Sequence, residues 1–340
     1  MAAGLTSGRR EFHAKQKNMA YPTSALIVGS IISSVALVVV NKLIFAQGFP
    51  YVFTLSTFHF IVTCGLLQIM ARVFGAFQVA YLPFRMNLLV AAFGVGSICL
   101  MNFSLKTNSI GFYQMMKLCV VPCCLVINLV TYGEHTTRKI CGALFLVLVG
   151  VGIATVTDVK LNGVGTLFGI AAVLTTAQYQ TWQGKKQKEY GLSSSQLALS
   201  VSFLQIFVGL AFALVFELGD LIANSEAGFT SAGEDAYLSL PVLIIVSCLL
   251  AVSVNVHSFA LIGKTSAVTF QVVGHGKTCL ILLSGYLLHV RAGNPVSDLY
   301  KNMMGVAVAL FGCALYTNLK LTDASSRDWC DLMLPVPLLK

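Results

Sequence analysis

The sequence predicts an all-α membrane protein of ten transmembrane helices, arranged as two inverted five-helix repeats. Three observations predict it. The 340 residues are 56% hydrophobic and only 10% charged, with a mean hydropathy of +0.81, whereas about a quarter of the residues in a soluble domain are charged. Ten apolar segments can be marked, each long enough to cross about 30 Å of hydrocarbon at 1.5 Å per residue. A short motif at the start of the fourth segment also recurs at the start of the ninth.

The first segment, 24–44, follows a polar leader. It is longer than a signal-peptide h-region and is expected to stay as a span. The second, 51–71, carries His59 within STFHF, where a core hydrogen bond is the expected role. The third, 86–105, ends at Asn102-Phe103-Ser104, a glycosylation pattern made unusable by its place in a span. The fourth and fifth are 110–132 and 140–157. The sixth, 164–183, opens with Gly165 and Gly169 four apart, a spacing that lets a second helix approach closely, a homodimer being one use. After it KKQKEY (185–190) reads as a basic loop rather than a nucleic-acid patch. The seventh, 196–216, leads into a loop to Tyr237 with five acids and no base. The eighth, ninth and tenth are 240–262, 266–288 and 302–319. The expected organisation is a tail 1–23, repeats 24–160 and 161–321, and a tail 322–340.

Charge sets the orientation. Counted on alternate sides of the ten segments, 15 Lys and Arg fall on the side of the termini and 5 on the other, which places both termini in the cytosol by the positive-inside rule. The two remaining bases, Lys117 and Lys277, lie inside segments. Nine of the ten cysteines are in or beside apolar segments without metal-ligand spacing, so they read as small core residues and no metal or cofactor is expected. There is no HExxH motif and no pair of aspartates inside the segments; a non-enzyme is expected. GHGKT (274–278) imitates the end of a P-loop, but Gln271 stands where its first glycine is required.

SIGFYQ (109–114) and SAVTFQ (266–271) share Ser-x3-aromatic-Gln at an offset of 157, each followed by the lone lysine of its segment. Five segments per half is odd, so the halves are inverted. Lys117 and Lys277 then approach the midplane from opposite faces, where inverted-repeat carriers bind cargo. Each lysine costs about 2.5–3.5 kcal/mol at a helix centre, and the segments hold no Asp and no central Glu to offset it. Snorkelling or loss of the proton is the bland alternative. The functional reading is a pair of fixed cations for a mobile phosphate or pyrophosphate. Without acidic relays, exchange of one anion for another is simpler than proton coupling.

NSIGFYQMMK (108–117), GVGIATVTDVKLN (150–162) and VSVNVHSFALIGKTSAVTFQVVGHGKTCL (252–280) resemble the nucleotide-sugar and triose-phosphate translocators of the drug/metabolite transporter superfamily. Lys277-Thr278 resembles the KT group, which includes UDP-xylose, UDP-galactose and UDP-rhamnose transporters. The resemblance implies a Golgi or ER antiporter that exchanges a nucleotide sugar for a nucleoside monophosphate. It matches Lys117 and Lys277 to phosphate-binding lysines and puts Thr278 where sugar-phosphate exchangers have an arginine. It also sets Thr269 and Phe270 near the nucleotide, and Asn255 and His257 at polar positions of the eighth span. Tyr113, Gln114 and Gln271 are site-lining or packing residues, and His275 reads equally as helix–helix glue. Leu199-Ser200 departs from the Tyr-Gln usual in the group, in the span that reads the base in guanine-specific relatives. A sugar-phosphate/phosphate exchanger is the second reading and a non-transporting helical scaffold the third.

Overall fold

The computed structural model describes residues 22–107, 110–155, 162–220, 222, 239–291 and 299–321. Among them are ten α-helices and no strand: α1 Thr23–Ala46, α2 Val52–Arg72, α3 Phe84–Thr107, α4 Ile110–Tyr132, α5 Arg138–Thr155, α6 Gly163–Glu189, α7 Ser194–Phe216, α8 Leu240–Lys264, α9 Ala267–Arg291 and α10 Leu299–Leu321. Among the described residues, seven of these, α1 to α4, α7, α8 and α10, contain a segment long and apolar enough to cross a membrane. On α6 polar side chains interrupt the apolar run, among them Gln180, Gln183 and Gln187.

Leu167, Ile170 and Leu174 of α6 and Phe203, Phe207, Leu210 and Leu214 of α7 are exposed, while Gln183, Gln187 and Gln205 of the same two helices are buried. Apolar stripes outside and amides inside suit helices solvated by lipid. The chain is a multi-pass membrane protein.

Local chemistry fixes the helix ends. Asn162 caps α6, its Oδ1 accepting from the amides of Val164 and Gly165 at 3.0 and 3.1 Å. Ser193 and Gln196 form a capping box on α7. KKQKEY, expected as a loop, continues α6 through Glu189 instead. Lys and Gln are good helix formers, and Lys186 pairs with Glu189 at 2.6 Å along the helix. The stop comes at Gly191, whose φ of +62° closes a Schellman turn, with Leu192 N donating to Gln187 O at 2.9 Å.

Helices α5 and α10 pack backbone to backbone. A Cβ at Gly305 would lie 2.6 Å from Ala154 N, and one at Gly312 would lie 2.8 Å from Val147 N, so three glycines, Gly150, Gly305 and Gly312, permit the approach. Helix α3 packs on α6, α1 on α8, α2 on α7 and α4 on α6. Gly169 faces Met116 of α4 and Ser104 of α3, so this glycine serves contact inside the bundle. Glu217, just beyond α7, caps α2: its carboxylate accepts from Phe53 N at 2.7 Å, Thr54 N at 2.8 Å and Thr54 Oγ1 at 2.7 Å. It thereby satisfies amides that the first turn of any helix leaves open.

Glu217→Ala is expected to cost about 1–2 kcal/mol of stability through loss of this cap, measured by thermal unfolding in detergent. Gly305→Leu is expected to cost at least about 1–3 kcal/mol by overpacking the α5–α10 contact, read in the same assay.

Candidate functional site

A cavity of about 380 Å³ opens among α3, α4, α6 and α9. Its walls are Ser97, Ile98 and Met101 from α3, Lys117 and Val120 from α4, Thr176 and Gln180 from α6, and Phe270, Gln271, Gly274, His275 and Lys277 from α9. Both lysines of the repeated motif therefore line one cavity, and no carboxylate is among its described lining residues. Residues 270, 274 and 277 recur at the i, i+4, i+7 spacing of one helix face, which is why α9 supplies so much of the wall.

The ammonium of Lys277 donates to Ser34 Oγ of α1. Lys117 is exposed, and its charge acts on both His275 and Lys277. His275 is 6% exposed, and its Nε2 makes no hydrogen bond among the described residues, so among them this nitrogen does not act as the interhelical glue allowed for it from the sequence. Gln271 Nε2 donates to Gln180 Oε1 at 2.7 Å, bridging α9 to α6 along the wall. A site of this make-up offers cations, amides and one aromatic ring to a polar anion.

Asn255, His257, Thr269 and Thr278, also proposed from the sequence, are not among the described lining residues. Asn255 Nδ2 donates to Thr63 Oγ1 of α2 at 3.2 Å. His257 Nδ1 bonds to Ser253 O at 2.7 Å while its ring lies against Gly29 of α1, where a Cβ would collide with it. Thr269 Oγ1 bonds to Tyr316 Oη of α10 at 2.8 Å. Thr278 Oγ1 turns back to Gly274 O at 3.1 Å. The side chains of Tyr113 and Gln114 lie outside the described residues. Leu199 and Ser200 are fully buried, with Ser200 Oγ accepting from Leu82 N at 3.0 Å and Ser200 O from Asn87 Nδ2 at 2.8 Å.

His59 makes the core bond expected of it: Nε2 lies 2.8 Å from Ser247 Oγ, which donates onward to Asn41 Oδ1 at 2.5 Å. Because the serine proton is spent on Asn41, His59 is the donor in the first link, and the chain joins α2, α8 and α1. Sequence reasoning missed Ser34, Ser97, Thr176 and Gln180. Only Gln180 carried a signal, as one of three glutamines between 178 and 183 in an otherwise apolar segment.

A profile of the Triose-phosphate Transporter family matches residues 25–317. UDP-xylose transporter 2 of Arabidopsis thaliana is 38% identical over 88% of this chain and 83% of its own length. UDP-rhamnose/UDP-galactose transporter 2 of the same plant is 32% identical over 89% and 86%. A solved crystal structure superposes with a TM-score of 0.62 at 13% identity, covering 88% of this chain and 96% of its own, a likeness of fold.

His59→Phe is expected to cost about 0.6–2 kcal/mol, the range for interhelical hydrogen bonds in membranes, as thermal unfolding in detergent would show.

Proposed function

The chain belongs to the triose-phosphate transporter family, and from that membership we propose that it is a nucleotide-sugar antiporter exchanging a UDP-sugar for UMP across a Golgi or ER membrane. The observation that carries the reading is that Lys117 and Lys277, from two different helices, line one cavity without a carboxylate among its described lining residues. The relatives that transport UDP-xylose and UDP-rhamnose or UDP-galactose point to a uridine diphosphate as the anion. Thr278, turned back on its own helix, adds no third charge of the kind a small sugar phosphate would use.

Ten spans in two inverted halves, with both termini cytosolic, are the frame of this proposal. Helix pairing supports it. Exchanging each helix for the one five later turns the α3–α6 contact into α8–α1 and returns α2–α7 and α5–α10 to themselves, and all four contacts occur. The largest departure from the pattern is at α4, which packs along α6, whereas α9 only touches α1, through Lys277 and Ser34 among others. Alternating access would trade the two, opening α4 from α6 as α9 closes on α1. Cargo assists the trade, since an ammonium group lowers its cost of moving through an apolar interior when an anion accompanies it. Transport is then an obligatory exchange.

Lys277→Met is expected to fold and reach its membrane, yet to lose uptake of UDP-sugars into UMP-loaded proteoliposomes. Purified wild type should be stabilised by UMP according to RT ln(1 + [L]/Kd), about 2.7 kcal/mol at a hundredfold excess over Kd, and the variant should not. Uptake driven by a proton gradient into liposomes lacking any nucleotide would contradict exchange.

A further inference from the structure

The phosphate reading leaves one polar feature of the cavity unused. Gln180 and Gln271 line it together, joined by the bond from Gln271 Nε2 to Gln180 Oε1. Each amide has a second polar atom, Gln180 Nε2 and Gln271 Oε1, that makes no hydrogen bond among the described residues. A joined amide pair therefore presents one donor and one acceptor side by side. Uracil carries the complement on one edge, where N3–H donates and O4 accepts. Phe270, the chain neighbour of Gln271 and a lining residue of the same cavity, supplies an aromatic surface of the kind on which bases stack.

We propose that the Gln180–Gln271 pair, with Phe270, is the nucleobase-reading subsite. The inference rests on the reading of Lys117 and Lys277 as the phosphate site. Register along α9 favours it: six residues, about 9 Å at 1.5 Å per residue, separate Gln271 from Lys277. One helix thus holds a ring reader and a phosphate reader with a ribose-sized interval between them. Positions 199 and 200 of α7 cannot take the role in this conformation. Both are fully buried, and Ser200 is bonded to the start of α3. A pair serving only to tie α6 to α9 would make the same bond, so the test must separate reading from gluing.

Affinities of the purified full-length protein for UMP, N3-methyl-UMP and ribose 5-phosphate are read from ligand-induced thermal stabilisation. Wild type is expected to bind UMP about tenfold more tightly than N3-methyl-UMP, the loss expected for a broken base hydrogen bond. Gln271→Met and Gln180→Met should each weaken UMP about tenfold while leaving ribose 5-phosphate unchanged. Equal wild-type affinity for UMP and its N3-methyl form overturns the inference without recourse to any variant. So does an unaltered ratio of UMP to ribose 5-phosphate in a folded variant. Wild type that binds none of the three probes overturns the phosphate-site reading itself, and this inference with it.

Discussion

A lysine ammonium inside a membrane helix must be met by oxygen, and the whole arrangement around α9 answers that requirement. Lys277 finds a neutral hydroxyl, that of Ser34 on α1. A serine spreads the charge but does not cancel it, and in a medium of low dielectric the difference is several kcal/mol. The walls around it are built accordingly: amides and hydroxyls from α3, α6 and α9 line the same space, which keeps the surroundings polar enough for the charge to persist.

Such a space needs rigid walls, and the packing provides them with small residues and fixed ends. The glycine contacts of α5 with α10 bring two backbones together. The chain from His59 through Ser247 to Asn41 ties three helices. A core of Met116, Val120, Val121 and Cys124 on α4 meets Ala172, Val173 and Ala177 on α6 and Val268 and Val272 on α9. This core lies beside the cavity and sets the spacing between the helices that carry the lysines and the amides.

Much of this was legible beforehand. Apolar length marked the seven helices whose described residues are long and apolar enough to span, because a chain that must hide its amides from lipid writes long apolar runs, and the two lysines stood out because nothing around them in sequence could offset their charge. What sequence could not supply was rotation and partnership. Asn255, His257, Thr269 and Thr278 were placed on the correct helices, yet their bonds go to Thr63, Ser253, Tyr316 and Gly274. Which way a polar side chain turns is decided by the neighbouring helix, as when Gly29 makes room for the His257 ring. Basic KKQKEY was misread as a loop because charge usually marks the end of a span, whereas helix propensity and the Lys186–Glu189 pair carry α6 two turns further than its apolar run. Gln180 stands in an apolar segment that gives no sign of which neighbour its amide meets.

Glu217 has a consequence beyond the helix it caps. Its two oxygens are engaged by two amides and a hydroxyl at the head of α2, so a buried acid of the bundle is committed to architecture and withheld from the cations. On the exchange proposed above, negative charge near the two lysines arrives as cargo and leaves with it, so the fold need not spend an acid of its own on them.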